Sequence, residues 1–167
     1  MAELLPTERL QPSLLDRLAD DEPGEQTESR DKRVLSQKRL RESVLRDLAW
    51  LLNSSAHAGP DQLKSYPEMK RSVVNFGIPA LSGRTVSGTD VAQLQRYVRD
   101  AILHFEPRML KESLNIRVIA SKDLYNHNAL AFEIEADLWM QPLPLRLYLQ
   151  TEIDLDTGHV DLIDQGG

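Results

Sequence analysis

Apolar residues recur along two segments of the chain with the spacing of an amphipathic helix. Residues 89–105 carry one apolar stripe, and Thr89 or Asp90 is placed to cap the first turn. Residues 36 to about 53 carry a second stripe, flanked by basic residues that we interpret as a solvated helix face. The stripes consist of Val91, Leu94, Val98, Ala101, Ile102 and Phe105, and of Leu40, Val44, Leu48, Leu51 and Leu52; the flanking bases are Lys38, Arg39, Arg41 and Arg46.

Beyond Arg108 the pattern changes to the two-residue alternation of β-strands. We expect strands near residues 114–118, 129–140, 145–155 and 160–163, with a turn at Asp156-Thr157-Gly158 before the last one. Alternation of this kind indicates an antiparallel sheet with one buried face, which the preceding helices can cover. The sequence therefore predicts an α+β fold, with amphipathic helices packed on one face of a small antiparallel sheet and an N-terminal extension.

The extension is set apart by its charge. Residues 1–31 contain nine acids and three bases, whereas the rest of the chain contains 17 of each, so the net charge of -6 resides in the extension. We therefore divide the chain into an acidic extension, 1–31, and a single α+β domain, 32–167. Residues 20–31 contain no apolar side chain and are predicted to be a disordered tether.

A short helix is predicted within the extension, at residues 12–18. Pro12 is suited to a helix start, and Leu14, Leu15 and Leu18 lie on one side. A helix of this length is unstable alone. It either docks on its own domain or binds a partner protein, and the sequence leaves both alternatives open.

Composition narrows the possible functions. The chain has no cysteine, which excludes disulfides and thiol catalysis. It shows neither a bilayer-spanning apolar run nor a secretion signal, so we expect a cytoplasmic protein without membrane insertion. The electroneutral body gives no reason to expect nucleic-acid binding. No serine elbow or phosphate-binding glycine loop is present, and the four histidines lack metal-ligand spacing, so we expect no cofactor and no metal; the histidines are His57, His104, His127 and His159.

Glu106-Pro107-Arg108 is the most informative motif in the chain. Pro107 must end the helix at residues 89–105 and hold Glu106 out of the helical conformation. The negative end of that helix disfavours a carboxylate there unless a cation such as Arg108 lies nearby. Three interpretations remain open: a corner that docks on other proteins, an internal helix cap, and a glycan hydrolase. In the last, Glu106 would be the general acid, with Asp100 or Glu112 as the second carboxyl. Arg108 argues against it, because a neighbouring cation keeps a carboxylate ionised and unable to donate a proton.

Three ordered motifs together resemble a known family. They are residues 72–79 (SVVNFGIP), residues 104–110 (HFEPRML) at the end of an amphipathic helix, and the strand residues Ile116-Arg117-Val118. This set resembles the phage baseplate wedge family, often labelled lysozyme-like. Residues 10–18 (LQPSLLDRL) are similar to the leader of one branch of that family, the TssE subunits of type VI secretion baseplates. Phe76 departs from the pattern, since the family commonly has tyrosine there.

The resemblance implies a structural role rather than catalysis. Its members lie in the wedge of a contractile injection machine, whose baseplate docks at an inner-membrane complex. They contact TssF, TssG and TssK, and they are expected to template the first sheath ring of TssB and TssC. The resemblance assigns wedge assembly to Glu106, Pro107 and Arg108, and it implies no hydrolysis of peptidoglycan. For protein interaction we therefore expect those three residues, together with the leucines of the short N-terminal helix, Leu14, Leu15 and Leu18.

Overall fold

The structure, a computed structural model of the chain, describes residues 13–18, 36–80, 90–119, 129–140 and 143–165. Within these ranges the helices are α1 (Leu14–Leu18), α2 (Gln37–Leu52), α3 (Pro60–Leu63) and α4 (Val91–Phe105), with 3-10 turns at Pro67–Arg71 and Val73–Asn75. The strands are β1 (Asn115–Ile119), β2 (Ala129–Leu138), β3 (Leu145–Asp154) and β4 (Val160–Asp164). The predicted tether at residues 20–31 lies outside the described residues, and the division into extension and domain stays a prediction.

Both long helices begin at side-chain caps. The Ser36 hydroxyl accepts a hydrogen bond from the backbone N–H of Arg39 at 3.2 Å, and Asp90 accepts one from the N–H of Gln93 at 3.0 Å. Each cap satisfies a backbone donor that the first helical turn leaves without a partner. The predicted helix starts are therefore confirmed, with Asp90 rather than Thr89 capping α4.

The four strands form one antiparallel sheet in the order β1-β2-β3-β4. Its register pairs Ile116 with Ile134, and Ile153 with Val160. The apolar stripes of α2 and α4 join the inward-facing strand residues in one core, which confirms the predicted α+β architecture. The largest fully buried side chains are Phe132, Leu40, Leu48, Leu51, Leu94, Ile102, Ile134, Leu138, Leu147, Leu149, Ile153 and Leu155.

The segment between α2 and α4 supports the end of α4. The N–H of Ile78 donates to the carbonyl of Ser54 at 2.9 Å, which brings the backbone of Gly77 against that residue. Gly77 has φ 120°, and a Cβ there would lie 2.2 Å from the Ser54 carbonyl oxygen, so only glycine fits. Phe76, which precedes Gly77, places its ring edge-on to the ring of Phe105, with 5.3 Å between the two centroids. Phe105 is the last residue of α4.

The interpretation of the basic residues on α2 as a solvated face is wrong for two of them. Arg41 donates two hydrogen bonds to Asp164, and this pairing raises the pKa of Arg41 while joining α2 to the end of β4. Arg46 pairs with Asp16 and Asp47. Lys38 does keep an 85 % exposed side chain. In the ranges that the structure describes, no helix is both long and apolar enough to cross a membrane.

Candidate protein-interaction site

Helix α4 ends where the Glu106-Pro107-Arg108 motif begins. The N–H of Glu106 donates to the carbonyl of Ile102 at 2.9 Å, closing the last turn, and Glu106 then leaves the helix with φ -121° and ψ 79°. Pro107 cannot donate a further helical hydrogen bond, so the chain turns here. The predicted helix end and the non-helical conformation of Glu106 are both confirmed.

Glu106 and Arg108 pair within the chain. Arg108 Nε lies 2.7 Å from Glu106 Oε1, Arg108 Nη2 lies 2.5 Å from Oε2, and the backbone N–H of Arg108 donates to Oε1 at 3.1 Å. Glu106 is only 3 % exposed, so its carboxylate is buried against the guanidinium rather than displayed at the surface. Such a two-pronged pair is among the strongest and most directional that side chains form.

Helix α2 supplies the remaining partners of Arg108. Asp47 Oδ2 accepts from Arg108 Nη2 at 2.6 Å, and the Ser43 hydroxyl accepts from Nη1 at 3.1 Å while donating to the carbonyl of Leu40 at 2.9 Å. Burial opposes the charge on Arg108, but the hydrogen bonds and charges of Glu106 and Asp47 outweigh it and raise the pKa of Arg108. The motif thus braces the end of α4 against the middle of α2.

The same corner is fastened to the end of the sheet. The N–H of Trp139 donates to the carbonyl of Arg108 at 2.7 Å, and the N–H of Leu110 donates to the carbonyl of Asp137 at 2.9 Å. These bonds extend β2 by a short antiparallel bridge and place Trp139, which is 43 % exposed, opposite Arg108, the residue after the exposed Pro107. We call Pro107, Arg108 and Trp139 the corner surface: a rigid proline, a partly exposed arginine and an aromatic ring on a braced backbone.

The two carboxyls considered as partners of a catalytic Glu106 are engaged elsewhere or solvated. Asp100 accepts from Lys70 Nζ at 2.6 Å, and Glu112 is exposed. Both oxygens of Glu106 are themselves occupied by Arg108. The geometry therefore suits a structural brace, since a general acid needs a proton and a free approach to its substrate.

Sequence reasoning missed three contributors to this site, Ser43, Asp47 and Trp139. Ser43 and Asp47 are four residues apart and so share one face of α2, a spacing that the sequence does show. Their partner Arg108 lies 65 and 61 residues away along the chain, which no periodicity reveals. The sequence alternation places Trp139 only on the outward face of the strand at residues 129–140, and its place at the corner follows from its hydrogen bond to Arg108.

The predicted N-terminal helix forms at Leu14–Leu18 and contacts α2. Asp16 Oδ1 lies 2.5 Å from Arg46 Nη1 on α2, and Arg46 immediately precedes Asp47, one of the two α2 residues that hold Arg108. Its three leucines point away from the domain and are 70 %, 48 % and 74 % exposed, in chain order. The contact of this helix with its own domain is therefore made through charge, and its leucines remain available.

The outer strands of the sheet differ in how open their edges are. On β1, Gln95 Nε2 donates to the carbonyl of Ile116 at 2.6 Å, and Arg99 Nη1 donates to that of Leu114 at 2.5 Å, so α4 covers this edge. On β4, Asn53 exchanges two hydrogen bonds of 2.9 Å with the backbone of Val160. Because outward-facing residues alternate in an antiparallel strand, the backbone of Leu162 also faces outward, and no described residue bonds it there.

Comparison with known families identifies one match. Residues 38–143 match the family model described as baseplate wedge protein gp25. This range includes α2 from its second residue onward, α4, β2 and the whole corner surface. No curated protein and no solved structure matches the chain. The matched region contains every residue of the Glu106–Arg108 brace and its α2 partners.

Proposed function

Because the chain belongs to the baseplate wedge protein gp25 family, we propose that it acts in the wedge of a type VI secretion baseplate and helps to start the contractile sheath. The family gives a structural role in a baseplate. The type VI assignment is supported by residues 10–18, whose sequence resembles the leader of TssE subunits and lies outside the matched region. The proposed partners are TssF, TssG and TssK in the wedge and TssB and TssC in the sheath, at a cytoplasmic baseplate docked to the inner-membrane complex.

The corner surface is the proposed contact with the wedge subunits. Protein interfaces are enriched in aromatic and arginine side chains, and binding energy concentrates where such a group can be fully desolvated. Trp139 and Arg108 supply both types, their backbones are joined by a hydrogen bond, and the Arg108 side chain is held by the brace to α2. A preformed surface of this kind loses little conformational entropy on binding.

The outward-facing backbone of Leu162 on β4, which no described residue bonds, is the observation that carries the proposed sheath role. An exposed strand can accept a strand from another chain, with backbone hydrogen bonds supplying affinity. Asn53 blocks the edge at Val160, so an incoming strand would begin its pairing at Leu162. The β1 edge is the poorer acceptor, because Gln95 and Arg99 occupy its carbonyls.

Replacing Leu162 by proline should stop sheath formation from starting on this subunit. Proline removes the outward N–H, and its neighbours Asp161 and Ile163 keep the inward bonds to β3. The matched control is Leu162→Ala, which loses more of the side chain but keeps the N–H. We expect assembled sheaths, counted by electron microscopy of a reconstituted baseplate, to fall at least tenfold with proline and to change little with alanine. Equal counts for the two variants would rule out strand addition at β4.

We further propose that the protein has no glycan hydrolase activity. The support is the geometry of Glu106, whose two oxygens both accept hydrogen bonds from Arg108. The turbidity of a purified peptidoglycan suspension should therefore stay constant when the wild-type protein is added. Clearing by the wild type that Glu106→Gln abolishes would show that Glu106 is a catalytic acid.

A further inference from the structure

The orientation of α1 is unusual for a short leucine-bearing helix. A five-residue helix does not persist alone in water, and such segments normally gain stability by burying their apolar side. Here Leu14 and Leu18 are 70 % and 74 % exposed, while the polar residue Asp16 faces the domain. The helix is therefore held by its polar side, and its apolar side is left uncovered in the isolated chain.

Asp16 is well arranged for this contact. One of its oxygens bonds Arg46, and the other accepts a hydrogen bond of 2.7 Å from the hydroxyl of Ser13. The same hydroxyl accepts from the N–H of Asp16 at 3.3 Å, which closes the first turn of α1. The hydrogen bond from Arg46 is the main influence on Asp16 and lowers its pKa, so this side chain is charged at neutral pH.

Arg46 is positioned in advance to receive Asp16. Its Nε and Nη2 atoms donate to Asp47 Oδ1 at 3.0 Å and 2.8 Å, and its guanidinium lies over the ring of Trp50, 5.1 Å from the centroid. A side chain already fixed from two sides loses less rotamer freedom when it forms a third contact. Trp50 is itself 51 % exposed, so an aromatic ring lies next to the place where α1 is held.

The contact also lies beside the corner surface. Asp47 gives one oxygen to Arg46 and the other to Arg108, so an unbroken row of charges runs from Asp16 on α1 to Glu106 at the end of α4. The Asp16–Arg46 pair at the outer end of this row is partly exposed, and ion pairs of that kind contribute little to stability. We therefore assign the Asp16–Arg46 pair a geometric role: it fixes where the leucines of α1 stand relative to the corner.

We propose that the Asp16–Arg46 ion pair is a positioning contact that presents Leu14, Leu15 and Leu18 to an apolar groove with a basic rim on a neighbouring wedge subunit. We infer the basic rim from charge complementarity to three acids, Asp20, Asp21 and Glu22, which follow Leu18 in the sequence with only Ala19 between. This inference rests on the proposed wedge function and names a second contact in it. The leucines supply the apolar anchor, and the ion pair sets its direction.

The first arm of the test measures the leucines. Full-length Leu14→Ala/Leu18→Ala should bind the purified TssF–TssG complex at least tenfold more weakly than wild type, while the melting temperature of the isolated protein stays within about 2 °C, because both side chains are exposed. Unchanged affinity overturns the proposal. A large fall in melting temperature also overturns it, since the leucines would then pack on their own domain.

The second arm measures the ion pair by a double-mutant cycle. Asp16→Asn and Arg46→Gln should each weaken binding severalfold, and the two together should weaken it no further than Arg46→Gln alone, because both remove the same contact. Glu42→Gln is the control on α2. It removes one negative charge, as Asp16→Asn does, from a side chain that is 59 % exposed, and it should bind as the wild type does. Additive effects of Asp16→Asn and Arg46→Gln would refute the positioning role.

Failure of this inference is separable from failure of the proposed function. If the wild-type protein does not bind TssF–TssG at all, the proposed wedge partners are wrong. If the wild-type protein binds and the leucine and Asp16 variants bind equally well, the wedge function stands and only the inference about α1 falls.

Discussion

Arg108→Ala should lower the free energy of unfolding of the isolated protein by about 3–5 kcal/mol, because it leaves the Glu106 carboxylate buried without its partner. Glu106 is 3 % exposed and receives two side-chain hydrogen bonds from Arg108. The bonds from Arg108 to Asp47 and Ser43 are lost as well. Urea denaturation followed by circular dichroism measures the effect. Arg39→Ala, which removes an exposed arginine from α2, should stay within about 0.5 kcal/mol of wild type.

The double variant Glu106→Ala/Arg108→Ala distinguishes a buried brace from two independent surface charges. Removing both partners leaves no unpaired carboxylate, so the double variant should be at least as stable as Arg108→Ala. This comparison remains decisive even if Arg108→Ala fails to fold. A double variant less stable than either single variant, with losses that add, would contradict the brace. So would an Arg108→Ala variant that is as stable as Arg39→Ala.

Trp139→Ala should weaken binding to the TssF–TssG complex by about 2 kcal/mol or more, which is roughly 30-fold. Trp139 is 43 % exposed, and its backbone N–H, which bonds the carbonyl of Arg108, is retained in the variant. The isolated protein should therefore keep its fold and lose only about 1 kcal/mol of stability from the buried part of the ring. Isothermal titration calorimetry gives the affinity.

Tyr66→Ala is the control for that experiment. It also removes a large exposed aromatic side chain, 67 % exposed, but from the start of the first 3-10 turn rather than from the corner surface. Its affinity should match that of the wild type. Equal losses for Trp139→Ala and Tyr66→Ala would show that the corner surface has no special part in binding.

The elements of the fold were predictable because each rests on local pattern. The stripe and caps of residues 36–53 and 89–105 gave α2 and α4 to within one or two residues. Alternation gave the four strands, since every second residue must face the helices. The short helix α3 and the two 3-10 turns were not predicted, because they lie in a segment whose turn residues show only that the long helix has ended.

The pairing of Glu106 with Arg108 was predictable from the sequence, whereas their other partners were not. The helix end made a cation near Glu106 necessary, and Arg108 is that cation. The further hydrogen bonds of the pair are made with Asp47 and Ser43, and only the packing of α2 beside α4 brings these residues to Arg108. Likewise, the direction of the α1 leucines depends on Arg46, whose helical spacing alone is typical of a solvated charge.

The brace changes the part that we propose for the Glu106-Pro107-Arg108 motif in assembly. Its acid is directed inward and determines the shape of the corner, while Pro107, the partly exposed side of Arg108 and Trp139 form the surface that a partner can touch. Substitutions at Glu106 would therefore reduce assembly through loss of the braced shape. Substitutions at Trp139 would reduce it through loss of contact.

The most direct test of a structural wedge role is co-elution of the purified full-length chain with purified TssF and TssG on size exclusion with light scattering. For the wild-type protein we predict a single complex whose mass includes this chain. The Trp139→Ala variant should remain folded and elute separately from TssF and TssG. Elution of the wild-type protein apart from TssF and TssG would contradict the account.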